Sequence, residues 1–243
     1  MTEVMPGTIK DKGIDGSTLK IVAIVCMVID HFAMVFIKES ATQEPFLRVL
    51  YYVMRAAGRL AFPLMLFLLT VGLMHTGNVL KYIARITIFA FISEIPYNLG
   101  LYGKLCYPSQ QNVLFTLALC LAVTALIKKI FESEKTDTAW KWILTVIITF
   151  AGATVSQVLH FDGGWAGVAA AVLMFIFRDK KTAGYCAGAA ALTVANLFEI
   201  FTFLGVPLIT LYNGKRGKIG KYFFYIFYPG HLILLWIVKL LFT

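Results

Sequence analysis

Long apolar segments follow one another along almost the whole chain, with only short polar links between them. A membrane-spanning helix needs about 20 consecutive, mostly apolar residues, and several segments reach or approach that length. They comprise residues 19–37, 57–73, 82–101, 113–130, 140–159, 165–177, 183–198, 201–212 and 222–241. The longest polar link, residues 131–139, is too short for a soluble domain. We therefore predict an all-α, polytopic integral membrane bundle of about eight or nine helices around a central cavity.

The composition excludes an ordinary soluble domain. Hydrophobic residues make up 59% of the 243 residues and charged residues only 14%, whereas soluble domains have about 45–50% and about 25%. A net charge of +9 is also found in nucleic-acid-binding proteins, but here the cations flank apolar segments, as they do in membrane proteins. We expect no nucleic-acid partner, and the spacing of the four cysteines predicts no metal site.

Lysine and arginine concentrate in alternate links between the apolar segments. With a cytosolic N-terminus, the links that face the cytosol hold most of these cations, as the positive-inside rule requires. Residues 1–18 are polar and are predicted to form a cytosolic tail, and residues 19–243 a single transmembrane domain. We therefore predict a multi-pass protein of the cell (cytoplasmic) membrane. Two crossings by residues 183–213 would give nine passes, and a re-entrant piece there would give eight.

Several ionisable side chains lie inside the apolar segments. Asp30 and His31 are in the first segment, Glu94 in the third and His231 in the last. Each costs about 2.5–3.5 kcal/mol to insert on translocation scales, which makes a functional role the first hypothesis. Counted from the predicted cytosolic ends, these residues reach a similar depth, and Glu199 is a fifth candidate. The alternative is a pair, Asp30 and His31, that only holds the first helix against its neighbours.

Cations at the predicted cytosolic end form a candidate phosphate site. Lys20 lies eleven residues before His31, so both lie on one helical stripe about 16 Å apart along the axis. Lys81 and Arg85 are four residues apart and share a helical face. They are predicted to bind phosphate at the mouth of the cavity, unless they only mark the cytosolic side.

Three arginines share another helical face before the second apolar segment. Arg48 and Arg55 are expected to face lipid headgroups. Arg59 is expected to lie inside the membrane, because the apolar run LAFPLMLFLLTVG follows it directly. There it would hold a buried carboxylate ionised or bind an anionic group of the substrate.

Three further substrate-binding candidates are predicted in or beside the cavity. Asp162 lies in the loop sequence VLHFDGGWAG, where it either lines the outer opening or has an ordinary loop role. Asn112 opens the fourth segment, either as a helix start or as cavity lining. Tyr228 lies close to His231 in the last segment, which carries Pro229 between them.

Five blocks of the sequence resemble the TraX family, the membrane acetylases that modify the N-terminus of conjugative pilin. The blocks are LKIVAIVCMVIDHF, AGRLAFPLMLFLLTVGLMHT, QNVLFTLAL, YNGKRG and KYFFYIFYPGHL. The family itself is similar to the acyltransferase family 3 enzymes, whose first helix has a basic residue, ten residues and a histidine; Lys20 and His31 match that spacing. The resemblance implies acetyl-CoA as the donor and an amine acceptor, such as a pilin-like peptide N-terminus, at the outer side.

Under this resemblance, His31 is the predicted general base and Asp30 or Glu94 orients it. His231 donates to the oxyanion or protonates the leaving thiolate. Lys215 and Arg216 join the cations that bind the phosphates of acetyl-CoA. A second route, in which His31 itself carries the acetyl group, stays open.

Other functions also fit the sequence. They are an O-acetyltransferase acting on a glycan or glycolipid hydroxyl, a proton-coupled transporter, and a non-catalytic subunit of a secretion machine.

Overall fold

The computed structural model describes residues 13–242, without the side chain of Lys221. Within this range the named elements are all helical, and the only extended pairings are two isolated bridges. The α-helices are α1 (Gly16–Phe32), α2 (Pro45–Gly58), α3 (Ala61–His75), α4 (Val79–Tyr102), α5 (Val113–Glu132), α6 (Thr138–Val158), α7 (Gly164–Ile176), α8 (Lys181–Ala195), α9 (Val206–Leu211) and α10 (Lys221–Phe242). A π-helical turn (Ala33–Ile37) extends α1, and 3₁₀ turns cover Ser40–Thr42 and Leu197–Gly205. The predicted all-α class is confirmed.

Five helical stretches are long and apolar enough to cross a membrane. They are Gly16–Ile37, Pro45–His75, Val113–Glu132, Thr138–Val158 and Tyr222–Phe242. These stretches make the chain a membrane protein. The expected eight or nine passes are not confirmed, because α7, α8 and the 197–211 stretch are short and α4 carries Lys81, Arg85 and Glu94.

Short polar side chains set the start of several helices. Asp15 caps α1 by accepting a hydrogen bond from the Thr18 amide at 2.8 Å. Asn78 caps α4 at the Lys81 amide in the same way, also at 2.8 Å. Caps of this kind bind backbone amides that have no partner inside the helix. They therefore define the residue at which each helix begins, between the polar link and the apolar segment.

The chain before α1 is joined to the loop after α9. The Ile14 amide donates to the Leu211 carbonyl at 3.1 Å, and the Gly16 amide donates to the Lys215 carbonyl at 2.8 Å. This pairing brings the loop of residues 212–220 beside the first turn of α1. Of the predicted tail, residues 1–12 lie outside the described residues, and α1 begins at Gly16, before the predicted boundary at residue 19.

The helices that carry the candidate site pack closely. α1 packs against α2, α3 and α10, and α4 packs along α10. A Cβ atom at Gly100 of α4 would lie only 3.0 Å from the Leu232 carbonyl oxygen of α10. The absence of a side chain at Gly100 therefore lets α10 approach α4 where His231 is placed.

Candidate functional site

His31 of α1 and His231 of α10 form a hydrogen-bonded pair inside the bundle. The distance from His31 Nδ1 to His231 Nε2 is 2.8 Å. The ring planes differ by 6° and the ring centroids lie 5.1 Å apart. Since the centroid separation exceeds the nitrogen distance by about two ring radii, the rings meet edge to edge in one plane. The first and last helices thus bring together two of the side chains that were predicted to reach a similar depth.

The partners of this histidine pair assign its tautomers. His231 Nδ1 lies 3.1 Å from the Phe227 carbonyl, which can only accept, so Nδ1 of the neutral ring carries the proton. His231 Nε2 then has a lone pair and accepts from His31 Nδ1. The proton of His31 is therefore on Nδ1, and its Nε2 is left as the basic atom.

Both ring nitrogens of His231 are engaged in this chain of hydrogen bonds. With the neutral tautomer assigned above, no ring N–H of His231 remains to donate, so this arrangement does not support the predicted role of His231 as a donor to an oxyanion or to a thiolate. His231 instead acts on the orientation of His31.

Asp30 is buried and belongs to a partly buried ion-pair network, which we define as Asp30, Arg55, Arg59 and Glu199. Arg55 Nη1 contacts Asp30 Oδ2, Arg59 Nη2 lies 3.1 Å from Asp30 Oδ1, and Arg59 Nη1 lies 2.8 Å from Glu199 Oε1. Two cations and two anions thus compensate one another, as buried charges require.

This network corrects two predictions. Asp30 does not orient His31, because both of its carboxylate oxygens bind arginines and no hydrogen bond among the described residues joins the two side chains. Arg55 does not face lipid headgroups, because its guanidinium is turned inward to Asp30. Arg59 does bind a buried carboxylate, that of Asp30, and this was one of its two predicted roles.

Gly58 shows how tightly this network is built. A Cβ atom at Gly58 would overlap the carboxylate of Asp30. The final turn of α2 therefore approaches α1 closely enough for both arginines to reach Asp30.

Glu94 and Asn112 form a separate contact. Asn112 Nδ2 donates to Glu94 Oε2 at 2.5 Å and to the Ala90 carbonyl at 2.8 Å, and Asn112 Oδ1 accepts from the Leu114 amide at 3.0 Å. Glu94 therefore does not orient His31. Asn112 is fully buried and caps α5, so of its two predicted roles the structure supports the helix start.

A large pocket, here called the main pocket, has a volume of about 1250 Å³. His31, Asp30, Arg55, Arg59 and Glu199 line it. Four cations also line it, and we call them the cationic mouth: Lys20, Lys81, Arg85 and Arg216. His231 is not among its lining residues and lies behind His31.

Aromatic rings hold two cations of the mouth in place. Lys20 Nζ lies 4.9 Å from the centroid of the Phe224 ring. The guanidinium of Arg85 lies 5.3 Å from the Tyr82 ring and 5.8 Å from the Tyr225 ring, and its Nε donates to the Tyr225 hydroxyl at 3.4 Å. Such cation–π contacts orient the side chains and leave the other N–H groups for an anion. Lys215 was predicted to join this group, but it does not line the main pocket; the Lys215–Arg216 backbone is drawn toward Gly16 and Ser17.

Asp162 and three tyrosines line another part of the main pocket. Gln110 Nε2 donates to Asp162 Oδ1 at 2.8 Å, and Tyr97, Tyr102 and Tyr228 line the same pocket. Asp162 is open to the pocket, yet protein atoms surround it, and this desolvation raises the pKa of its carboxyl above the ordinary value. Of the predicted substrate-binding residues, Arg59, Tyr228 and Asp162 thus share one pocket.

Comparison with known sequences decides the family. The family model described as "TraX protein" matches residues 15–239. The chain belongs to the TraX family. The resemblance found in the sequence blocks is therefore confirmed, and the more distant relation to acyltransferase family 3 stays a prediction.

A curated relative aligns with this TraX-family chain over nearly its full length. It is the "Probable fimbrial assembly protein FimC, serogroup H1" of Dichelobacter nodosus, which is 29% identical over 248 residues. The alignment covers 91% of this chain and 94% of the relative. No solved structure matches the chain.

Proposed function

We propose that this TraX-family protein is an integral membrane acetyltransferase that transfers an acetyl group from cytosolic acetyl-CoA to an amine at the outer side of the cell membrane. The observation that carries the proposal is the main pocket, because one pocket holds both the cationic mouth and a histidine whose tautomer leaves a basic nitrogen. Anion binding and general-base catalysis are the two requirements of transfer from an anionic thioester.

The residues of the pocket fit acetyl-CoA as the donor substrate. Lys20 and Arg85 are already oriented by aromatic rings and can bind phosphate oxygens. Eleven residues of helix separate Lys20 from His31, a rise of about 16 Å. A pantetheine arm has about that reach when extended, so phosphates at the mouth place the thioester near His31. The same fit favours a cytosolic N-terminus, since acetyl-CoA is made in the cytosol.

His31 would act as the general base through Nε2. It takes a proton from the attacking amine and returns the proton to the departing thiolate, which gives an amide and free CoA. His231 is a positioning residue, because its Nε2 accepts from His31 Nδ1 and stabilises the imidazolium formed during transfer. Base catalysis of this kind contributes about 10²–10⁴ in rate.

The acceptor proposed is an amine such as a pilin-like peptide N-terminus. The curated relative from Dichelobacter nodosus is named as a probable fimbrial assembly protein, and fimbriae are built from pilin subunits. Asp162 supports the choice of a cationic group over a sugar hydroxyl, because its carboxylate has a neutral amide, Gln110, as its hydrogen-bonding neighbour.

The test uses the full-length protein purified in detergent, with release of the CoA thiol measured in the presence of acetyl-CoA and a peptide with a free N-terminus. His31→Ala is expected to lose turnover by at least about 100-fold and to keep its thermal stabilisation by CoA. His160→Asn is the matched control, because His160 is exposed and its positive φ of 54° suits asparagine. Normal turnover by His31→Ala would exclude His31 as the base.

The same assay separates the rival functions. Acetylation of a glycan hydroxyl in place of the peptide would identify an O-acetyltransferase. A wild-type protein that CoA does not stabilise against heat would reject the enzyme and favour a transporter, because a ligand stabilises only a protein that binds it.

A further inference from the structure

A second pocket, of about 820 Å³, lies beside the main pocket and has no role in the reaction described above. The two pockets share four lining residues: Val71, His75, Tyr212 and Gly214. Val71 and His75 belong to the last turns of α3, so the second pocket adjoins the main pocket around this end of the helix. The two pockets are therefore neighbours at this end of α3.

Two cations of the second pocket are held in fixed positions. Arg178 Nη1 donates to the Phe175 carbonyl at 3.0 Å, and its guanidinium lies 4.5 Å from the Phe175 ring. Lys181 Nζ donates to the Thr210 carbonyl at 3.0 Å and to the Tyr212 carbonyl at 2.5 Å. Because Arg178 uses one nitrogen for the carbonyl, the remaining N–H groups of its planar fork are left for an oxyanion.

One wall of this pocket is suited to a flat aromatic ring. Met74, Met174 and Leu211 line it together with the two cations. Methionine side chains adapt to planar groups and make favourable contacts with aromatic rings. The second pocket thus combines the cation Arg178 with an apolar wall, which suits a ligand that joins a phosphate to an aromatic ring.

We propose that the second pocket binds the adenosine 3′-phosphate end of coenzyme A, with Arg178 at the 3′-phosphate, while the cationic mouth binds the pyrophosphate. This inference rests on the proposed function, which requires that coenzyme A binds. Coenzyme A carries phosphate at two separate positions, and the chain offers cations in two adjoining pockets. Under this proposal, Arg178 in the loop after α7 binds one phosphate group of coenzyme A, and the cations of α1 and α4 bind the other.

Asp179 gives the proposal an internal check. This exposed carboxylate lines the second pocket beside Arg178. Since like charges repel, Asp179 weakens the binding of a phosphate at this position. Removal of its charge is therefore expected to tighten the binding of a ligand that has the 3′-phosphate and to leave other ligands unaffected.

The test measures the Kd of CoA and of dephospho-CoA, which lacks the 3′-phosphate, by calorimetry with the full-length protein in uncharged detergent. The wild-type protein is expected to bind CoA about tenfold more tightly than dephospho-CoA. Arg178→Gln is expected to reduce the affinity for CoA to that for dephospho-CoA, which it leaves unchanged. Arg48→Gln is the matched control, because Arg48 also donates to backbone carbonyls but lines neither pocket.

Asp179→Asn keeps the test decisive if Arg178→Gln does not fold, because it is expected to increase the preference for CoA over dephospho-CoA. Equal affinities of the wild-type protein for both ligands would overturn the inference and leave the proposed function intact. Failure of both ligands to bind would overturn the two together. If Arg178→Gln instead lowers only the affinity for phosphatidylglycerol nanodiscs, the cation belongs to a lipid headgroup site and the inference is wrong.

Discussion

The hydrogen bond between the two histidines gives the sharpest test of the mechanism. His231→Ala removes the acceptor of the His31 Nδ1 proton, a contact of 2.8 Å. The His31 ring would then lose its orientation, and the imidazolium formed during transfer would lose its partner. Because His231 does not line the main pocket, the substitution changes no surface that the donor or the acceptor contacts.

The size of the effect follows from the kind of hydrogen bond. A hydrogen bond to a charged group contributes about 1.5–3 kcal/mol, and each 1.36 kcal/mol changes a rate tenfold. Since the partner is charged only after proton transfer, the loss is expected in kcat, by about 10- to 150-fold. The KM for acetyl-CoA is expected to change less than twofold.

Thiol release is measured with saturating peptide acceptor, in the presence and absence of imidazole. Free imidazole is expected to restore part of the kcat of His231→Ala, because it fits the space that the substitution leaves and can accept from His31 Nδ1. His231→Gln is expected to retain more activity than His231→Ala, because its amide oxygen can accept the same proton. Ile233→Ala is the control, since Ile233 lies on α10 and lines neither pocket. The positioning role would be refuted if His231→Ala had the same kcat as the wild-type protein. It would also be refuted if the substitution raised KM by a similar factor and left kcat unchanged.

Three further predictions concern the main pocket. Gly58→Ala is expected to lower the stability measured by thermal unfolding by about 1–3 kcal/mol, because the added Cβ atom would overlap Asp30. Gly77→Ala is the control and is expected to change stability little, because Gly77 has open space around it. Asp30→Asn is expected to lower stability by about 3 kcal/mol. The control is Glu132→Gln, which breaks the exposed pair of Glu132 with Lys128, 3.8 Å apart, and is expected to lower stability by less than about 1 kcal/mol. Equal effects of the two substitutions would contradict the network. Asp162→Asn is expected to raise Tm at pH 7, because the raised pKa of Asp162 in the folded state means that ionisation of this carboxyl destabilises the fold. Below about pH 4 the substitution is expected to have no such effect on Tm. It is also expected to raise the KM for the peptide.

Every predicted apolar segment coincides with helical structure, so the apolar pattern predicted most of the helices. It did not predict α2 as a separate helix, because most of α2 (Pro45–Gly58) lies before the predicted segment 57–73. The number of membrane passes was less accessible, since α7 and α8 are short and sequence alone does not say whether short apolar helices cross. The π-helical turn Ala33–Ile37 and the nine-residue 3₁₀ segment Leu197–Gly205 have no sequence signal of comparable strength. Both depend on tertiary packing, and both lie beside residues of the candidate site.

Depth along a helix predicted the histidine pair, but it could not predict side-chain partners. His31 and His231 were expected together because both are ionisable and lie about ten residues from the cytosolic ends. The inward turn of Arg55 was missed because a helical face of arginines looks the same in sequence whether it faces headgroups or a buried carboxylate. The apolar residues Phe46, Val49 and Val53 are exposed on the opposite face of α2, and this opposition was the signal that could have indicated it.

The network also explains why a histidine, and not a carboxylate, is the partner of His31. Asp30 lies next to His31 in the same turn of α1, but Arg55 and Arg59 occupy both of its carboxylate oxygens. A carboxylate in the place of His231 would stabilise the imidazolium, but its fixed negative charge would also repel an anionic donor in the same pocket. His231 accepts the same proton without a fixed charge, so under the proposed mechanism it orients the base while the network keeps the surroundings electrically balanced. Loss of Asp30 is therefore expected to impair catalysis through uncompensated arginines near His31, and Glu199→Gln, which releases Arg59 from one partner, should impair it less than Asp30→Asn.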